Sequence, residues 1–262
     1  MTMLLTMLLP FYNEEGWIGA TIDCLAAQRD RRFQLLLLDN GSTDGGRAEA
    51  ERHLAAWPAG AAAILSVPNP GKVNALSAGL SRVVTPFVAV CDADTAYPPD
   101  YVGRCLDLFA ARPDVVAVMA IDLYDPVGSD AARHRAARIL NKAHLYRDRC
   151  HAGGYAQSFR TDALRAVGGF DLRRWPFVLE DHEIVHRLHR LGASLYDAQH
   201  YCHPSARRAD RRRVSWTGFE RLLYRFMPRG LMDWFFYDFL WQRLERRNAY
   251  SVALREKAWT TP

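Results

Sequence analysis

The chain has 262 residues, nearly half of them apolar, which allows one large α/β domain or two small ones and argues against wholesale disorder. Five cysteines, an odd number without C-x-x-C spacing, exclude a disulfide framework and a zinc ribbon and fit reduced thiols in a cytoplasmic protein. The net charge of +5 is uneven: residues 204–262 hold 13 Lys/Arg against 6 Asp/Glu and the remainder is net −2, so a near-neutral body carries a basic, aromatic tail suited to something anionic.

Met1 to Pro10 is apolar but has neither a basic flank nor a small-residue cleavage site. It reads as a buried first strand, Met3–Leu9, and not as a signal peptide. No run of 18 apolar residues occurs, so no membrane span is expected. Pro10-Phe11-Tyr12-Asn13-Glu14-Glu15 leaves that strand, with Asn13 suited to cap a helix over Glu14–Gln28, whose N-terminus could also approach phosphate. A second strand, Phe33–Leu38, ends in Asp39-Asn40-Gly41-Ser42-Thr43-Asp44. Gly41 relieves the turn and Thr43 or Asp44 caps the next helix. Asp39 is left without a local role, and a carboxylate at a strand end can accept hydrogen bonds from a base N–H or a ribose hydroxyl.

A strand over Ala61–Val67 leads to a helix over Val73–Arg82, opened by Gly71-Lys72. That lysine either meets a phosphate or is an ordinary solvated side chain. The next strand, Phe87–Cys91, ends in Asp92-Ala93-Asp94. Residues i and i+2 of a strand share a side, so the two carboxylates can converge on one cation. Mg²⁺ takes one or two carboxylates together with phosphate oxygens; an acidic turn explains the tripeptide equally well when it stands alone. A helix at Tyr101–Ala111 and a strand at Val115–Ile121 complete a βαβ rhythm, which predicts a mostly parallel, doubly wound sheet with ligands at the strands' carboxyl ends. Neither G-x-x-x-x-G-K-[ST] nor G-x-G-x-x-G occurs, so a P-loop and a dinucleotide fingerprint are both unsupported.

The second half is less regular. A basic helical pattern covers Asp130–Cys150, then a short strand Ala156–Phe159, a short helix Thr161–Ala166, Gly168-Gly169, a helix over Glu180–Leu191 and a strand at Ser194–Tyr196. His203 comes next, with Arg207, Arg208 and Arg211-Arg212-Arg213 placed to meet diphosphate or anionic lipid. From Trp216 and Phe219 to Trp241, apolar residues recur at helical spacing among arginines. Such helices pack on the sheet by default, and they also suit a membrane surface.

Taken together and in order, these segments resemble an inverting family 2 glycosyltransferase of GT-A fold. The resemblance rests on Pro10-Phe11-Tyr12-Asn13-Glu14, the Asp39–Asp44 loop, Gly71-Lys72 to Leu80 (with Ser77 where Asn is usual), Asp92-Ala93-Asp94, Val167 to Asp171, and Glu180-Asp181. It implies a GT-A domain over 1–203, with a nucleotide-sugar half (1–122) and an acceptor half (123–203), followed by a helical extension over 204–262. It implies that Pro10, Tyr12, Glu14, Asp39, Gly71, Lys72, Asp92, Ala93 and Asp94 bind a nucleotide-diphosphate sugar. Asp94 with Asp92 would hold Mg²⁺ or Mn²⁺, His203 being a further candidate ligand. Asp181 would be the general base, with Glu180 shaping the acceptor site. The acceptor would be a carbohydrate or lipid-linked hydroxyl, met in the cytoplasm or at the inner face of the membrane, the tail making peripheral contact and no nucleic acid being involved. A retaining transferase and a non-catalytic nucleotide-sugar-binding protein are the alternatives.

Overall fold

The structure is a computed structural model and describes residues 2–208 and 216–256. The expected Arg211-Arg212-Arg213 run lies outside the described residues, as does the side chain of Arg208.

In chain order the first half runs β1 (Leu5–Phe11), α1 (Ile18–Ala26), β2 (Phe33–Asp39), α2 (Gly46–Leu54), β3 (Ala62–Ser66), α3 (Lys72–Arg82), β4 (Phe87–Val90), a short β5 (Thr95–Ala96), α4 (Tyr101–Ala111) and β6 (Val115–Asp122). The second half adds α5 (Asp130–Leu145), β7 (Gln157–Arg160), α6 (Thr161–Ala166), α7 (Glu180–Leu188) and β8 (Ala193–Pro204). The C-terminal extension holds α8 (Gly218–Phe226), α9 (Met232–Trp234), a π-helical segment Phe235–Leu240 and α10 (Trp241–Arg246).

The strands form one sheet in the order β3-β2-β1-β4-β7-β6-β8-β5. β1, β2, β3 and β4 pair in parallel, as do β6 and β8. β7 runs antiparallel to both β4 and β6, and β5 antiparallel to β8. The sheet is therefore mostly parallel with helices packed around it, as the sequence predicts. β6 is buried along its whole length, which explains its unbroken apolar run. β3, at an edge, has only partly buried and exposed residues. β1 stands between β2 and β4, so the chain's connections diverge there and open a crevice at the strands' carboxyl ends.

Several boundaries differ from expectation. Asn13 does not cap a helix: its φ is +54°, and α1 begins only at Ile18 after a turn closed by Glu14's carbonyl, which accepts from the Trp17 and Ile18 amides. The basic helix stops at Leu145, after which the chain turns, the Arg149 amide donating to the Tyr146 carbonyl at 3.0 Å. The short strand expected at Ser194–Tyr196 extends through His203, since β8 pairs first with β6 and then with β5. α3 approaches the sheet closely through Gly79, where an added Cβ would lie 2.8 Å from Leu38 Cδ1.

Candidate active site

The loops after β1, β2 and β3 interlock. Asn13 Oδ1 accepts from the Thr43 amide at 2.8 Å, and Asp44 accepts from the Glu15 amide at 2.9 Å. Glu15 in turn accepts from the Gly45 amide at 2.9 Å. Asp39, which the sequence leaves without a local role, has partners in its own loop and on α2. It accepts from the Ser42 amide at 2.9 Å and pairs with Arg47 at 3.0 Å. Arg47 also reaches Ser66 Oγ at 2.7 Å, tying the ends of β2 and β3 together. Asn40, which sequence reasoning passed over, is buried and donates to the carbonyls of Val67 and Asn69 at 3.1 and 2.7 Å while accepting from the Gly71 amide at 2.6 Å. Gly71 has φ +112°, a conformation that only glycine adopts without strain, and α3 starts directly after it.

That start places Lys72. Its Nζ lies 2.5 Å from Asp92 Oδ1. Burial lowers the lysine's pKa, but the charges of Asp92, Glu180 and Asp181 outweigh it and raise the pKa above its ordinary value. Asp92 is set by Tyr97, whose buried hydroxyl accepts from the Asp92 amide at 3.1 Å and donates to the Tyr155 carbonyl at 3.0 Å. Ala93 is buried between the two acids, its carbonyl accepting from Thr21 Oγ1 at 2.9 Å.

Asp94 meets the chain that leaves β8. Its carbonyl accepts from the Ser205 amide at 3.0 Å, and its carboxylate pairs with Arg207 Nε at 2.8 Å. The same guanidinium pairs with Glu14 and stacks over Trp17 at 4.6 Å. Arg207 thus joins the first and fourth strand ends, a link between positions 193 residues apart that no local pattern could disclose. Pro10 pairs with Leu38 near the end of β1, partly buried ahead of buried Phe11, with Tyr12 following in the loop. His203 pairs with Ala96 across β8 and β5, and its Nδ1 donates to the Leu123 carbonyl at 3.0 Å, which leaves Nε2 as the lone-pair nitrogen.

Across the crevice, α7 opens with Glu180 and Asp181. The residue before them, Leu179, sits at φ +68°, a strained position for a bulky side chain. It is held there because Trp175 Nε1 donates to the Val178 carbonyl and the Val178 amide donates to Ala249. Asp181 accepts from the Gly154 amide at 3.1 Å, from the His182 amide at 2.9 Å and from His182 Nδ1 at 2.8 Å. Burial first, and the neighbouring Asp181 charge second, push Glu180 up to about 7, with Lys72 pulling it back. Asp181 and His182 line a cavity of about 440 Å³ between α5 and α8.

The strand-end carboxylates suit a divalent cation shared with a diphosphate, which needs one or two of them and takes its other ligands from phosphate and water. Among the described residues no group of three or more His, Cys, Asp or Glu side chains gathers to hold a metal ion by itself.

A family described as "Glycosyl transferase family 2" matches residues 6–168, well over half of the chain. The chain belongs to glycosyl transferase family 2. An undecaprenyl-phosphate 4-deoxy-4-formamido-L-arabinose transferase from Sodalis glossinidius (strain morsitans) is 30% identical over 139 residues, covering 52% of this chain and 41% of that protein. The matched part thus spans about two fifths of that curated relative. In structure the chain is similar to the mannosyltransferase PcManGT from Pyrobaculum calidifontis, in complex with GDP-Man and Mn²⁺, at TM-score 0.66 and 18% identity over 97% of this chain and 74% of that one. It is also similar to S. aureus TarS 1-349 in complex with UDP-GlcNAc, at TM-score 0.61 and 16% identity over 97% and 76%. These likenesses establish the GT-A fold of this family 2 chain. Asp39 stands at the end of β2, Asp92 and Asp94 just after β4, and Glu180 and Asp181 at the start of α7.

Proposed function

We propose that this family 2 chain moves a sugar from a nucleotide-diphosphate sugar to an acceptor hydroxyl with inversion, Asp181 taking the hydroxyl's proton. The observation that carries the reading is the position of Lys72. It binds Asp92 on the donor side, while its charge is held up by Glu180 and Asp181 on the acceptor side. Donor-side and acceptor-side carboxylates therefore converge on one small volume, as in-line displacement requires.

In this reading the loops from Pro10, Tyr12, Glu14, Asp39 and Gly71 hold the nucleoside, Asp39 through oxygens already oriented by Ser42 and Arg47. Asp94, with Asp92 in support and His203 Nε2 as a further candidate, would hold Mg²⁺ or Mn²⁺. When bound, such an ion supplies positive charge for the departing diphosphate. Lys72 and Arg207 carry charge of the same sign at the same two carboxylates, and so are placed to pass onto phosphate oxygens when the donor enters.

Asp181 sits at a helix N-terminus and accepts two backbone N–H bonds, which favour its charged form and weaken it as a base. It remains competent, because the hydroxyl becomes acidic as it attacks. The His182 imidazole fixes one carboxylate oxygen. Glu180, near neutrality in its own titration, can donate a hydrogen bond where an ionised neighbour cannot.

A lipid-linked acceptor is supported by the relative's named substrate and by α8. Phe219, Leu222 and Phe226, spaced on one face of that helix, are each more than half exposed. Arginines flank them, as on a helix that lies at a membrane surface. No helix among the described residues is long and apolar enough to cross a membrane. We therefore assign peripheral contact at the inner face to this edge.

The test is Asp181→Asn. Turnover should fall by two or more orders of magnitude, in line with about 10²–10⁴-fold for a general base, while donor affinity is retained; lost donor binding would remove its assigned role. NMR of the product anomer checks inversion, which an α-product from an α-donor would contradict.

A further inference from the structure

The cavity beside Asp181 has walls whose charge the donor reading leaves unexplained. Arg135, Arg138 and Lys142 line it from α5 at spacings of three and four, hence from one helix face, and Arg221 and Arg225 line it from α8, again four apart. Two of its cations are accounted for: Arg135 pairs with Asp122, and buried Arg149 pairs with Asp148 while donating to the Tyr224 carbonyl. Among the described residues Arg138, Lys142, Arg221 and Arg225 have no carboxylate partner.

The cost of this arrangement registers at Lys142, whose pKa is lowered by burial and then by the charges of Arg138, Arg225, Arg221 and Arg135. Six Lys/Arg side chains against two carboxylates, Asp122 and Asp181, leave the lining with an excess of positive charge, which an anion from outside stabilises.

On the donor reading above, the anion this cavity suits is a second one, separate from the donor's diphosphate. Asp92, Asp94 and Lys72 do not line this cavity, whereas Asp181 does. Tyr146 and Tyr224 add aromatic walls, each with a guanidinium over its ring, at 4.7 and 5.4 Å. The volume suits one compact group and not a polymer groove.

We propose that the cleft between α5 and α8 binds a phosphate group carried by the acceptor and so presents the acceptor's reacting end to Asp181. The inference rests on the transferase reading and deepens it by naming what the acceptor must carry. Arginine and lysine forks recognise phosphate through short, charge-assisted hydrogen bonds. The same helix α8 turns its exposed apolar face outward, so a phosphate on a lipid chain and a phosphate on a soluble sugar are the two sources to separate.

Isothermal titration calorimetry on the full chain, with citronellyl phosphate, citronellol and glucose 6-phosphate, tests this. Saturable binding of one or both phosphates is expected, with citronellol silent. Tighter binding of citronellyl phosphate assigns a lipid acceptor, and tighter binding of glucose 6-phosphate a soluble one. The Arg138→Ala/Lys142→Ala double variant, altered on the surface of α5, should weaken phosphate binding about tenfold or more at unchanged thermal stability and unchanged nucleotide-sugar affinity. Equal binding of citronellol, or unchanged phosphate affinity in the double variant, overturns the proposal. The two readings fail separately. Phosphate binding without binding of any nucleotide sugar removes the transferase reading and with it the acceptor assignment, whereas nucleotide-sugar binding without phosphate binding removes only this one.

Discussion

Glu180 is the residue whose environment speaks most directly to pH. Its folded pKa lies near 7, above the ordinary carboxyl value, through burial and the adjacent Asp181 charge. The folded state therefore holds a proton that the unfolded chain has released between about pH 4.5 and 7, and this group's contribution to stability is lost as pH rises through that window. Glu180→Gln should thus raise the melting temperature at pH 8, by about 2–4 °C per kcal/mol recovered, and change little at pH 4; an equal shift at both values would contradict the assignment. Tyr97 makes a second residue-scale prediction. Tyr97→Phe leaves the Tyr155 carbonyl and the Asp92 amide without their buried partner and should cost about 1–3 kcal/mol in urea unfolding. At this scale the acids were legible because each follows an apolar strand or opens a helix. Their partners were not: Arg207 comes from far along the chain, Asn40 reads as a turn residue, and His182 looks like one more helix position.

At the scale of elements, the alternation of apolar runs with helical patterns was enough to predict the parallel half of the sheet. It failed where tertiary pairing overrides local pattern. β8 looks polar in its middle, with Asp197, Gln199 and His200, yet it continues because β6 and then β5 supply partners. Asn13 has the composition of a helix cap but commits its side chain to the neighbouring loop. Gly71 is the element-scale test. Its positive φ opens α3 and aims Lys72, and an added Cβ would stand 3.0 Å from Val252 Cγ2 in the C-terminal segment. Gly71→Ala should destabilise by about 1–3 kcal/mol from backbone strain and lower donor affinity, read by calorimetry and by nucleotide-sugar titration. An unstrained, fully active variant would show that α3 can start without this turn.

For the molecule as a whole, the extension after residue 216 builds a second, aromatic core. Phe235, Phe236, Leu240 and Leu244 are buried with Trp175, Phe177 and Val178, the segment directly ahead of Glu180. Tyr237 donates to Glu183 of α7 at 2.6 Å, and Glu183 pairs with Arg187, which in turn holds the Gly169 carbonyl. The extension thus braces α7 and the segment ahead of it, while its outer face carries exposed aromatic residues. Helical spacing in the sequence disclosed the helices but left both destinations open; the structure shows one face packed against Trp175, Phe177 and Val178 and leaves Phe219, Leu222 and Phe226 exposed. Phe219→Ser/Leu222→Ser/Phe226→Ser should abolish flotation with phosphatidylglycerol vesicles while leaving the fold intact by circular dichroism; undiminished flotation would refute membrane contact through α8. The central claim concerns a donor held at Asp92 and Asp94 of the β4 end, and a thermal-shift screen of nucleotide sugars with and without Mn²⁺ tests it most directly. At least one nucleotide-diphosphate sugar should raise the melting temperature in a Mn²⁺-dependent way, and Asp94→Ala should lose that shift. A chain that no nucleotide sugar stabilises, with the ion or without it, or an Asp94→Ala variant stabilised as well as the parent, would contradict the account.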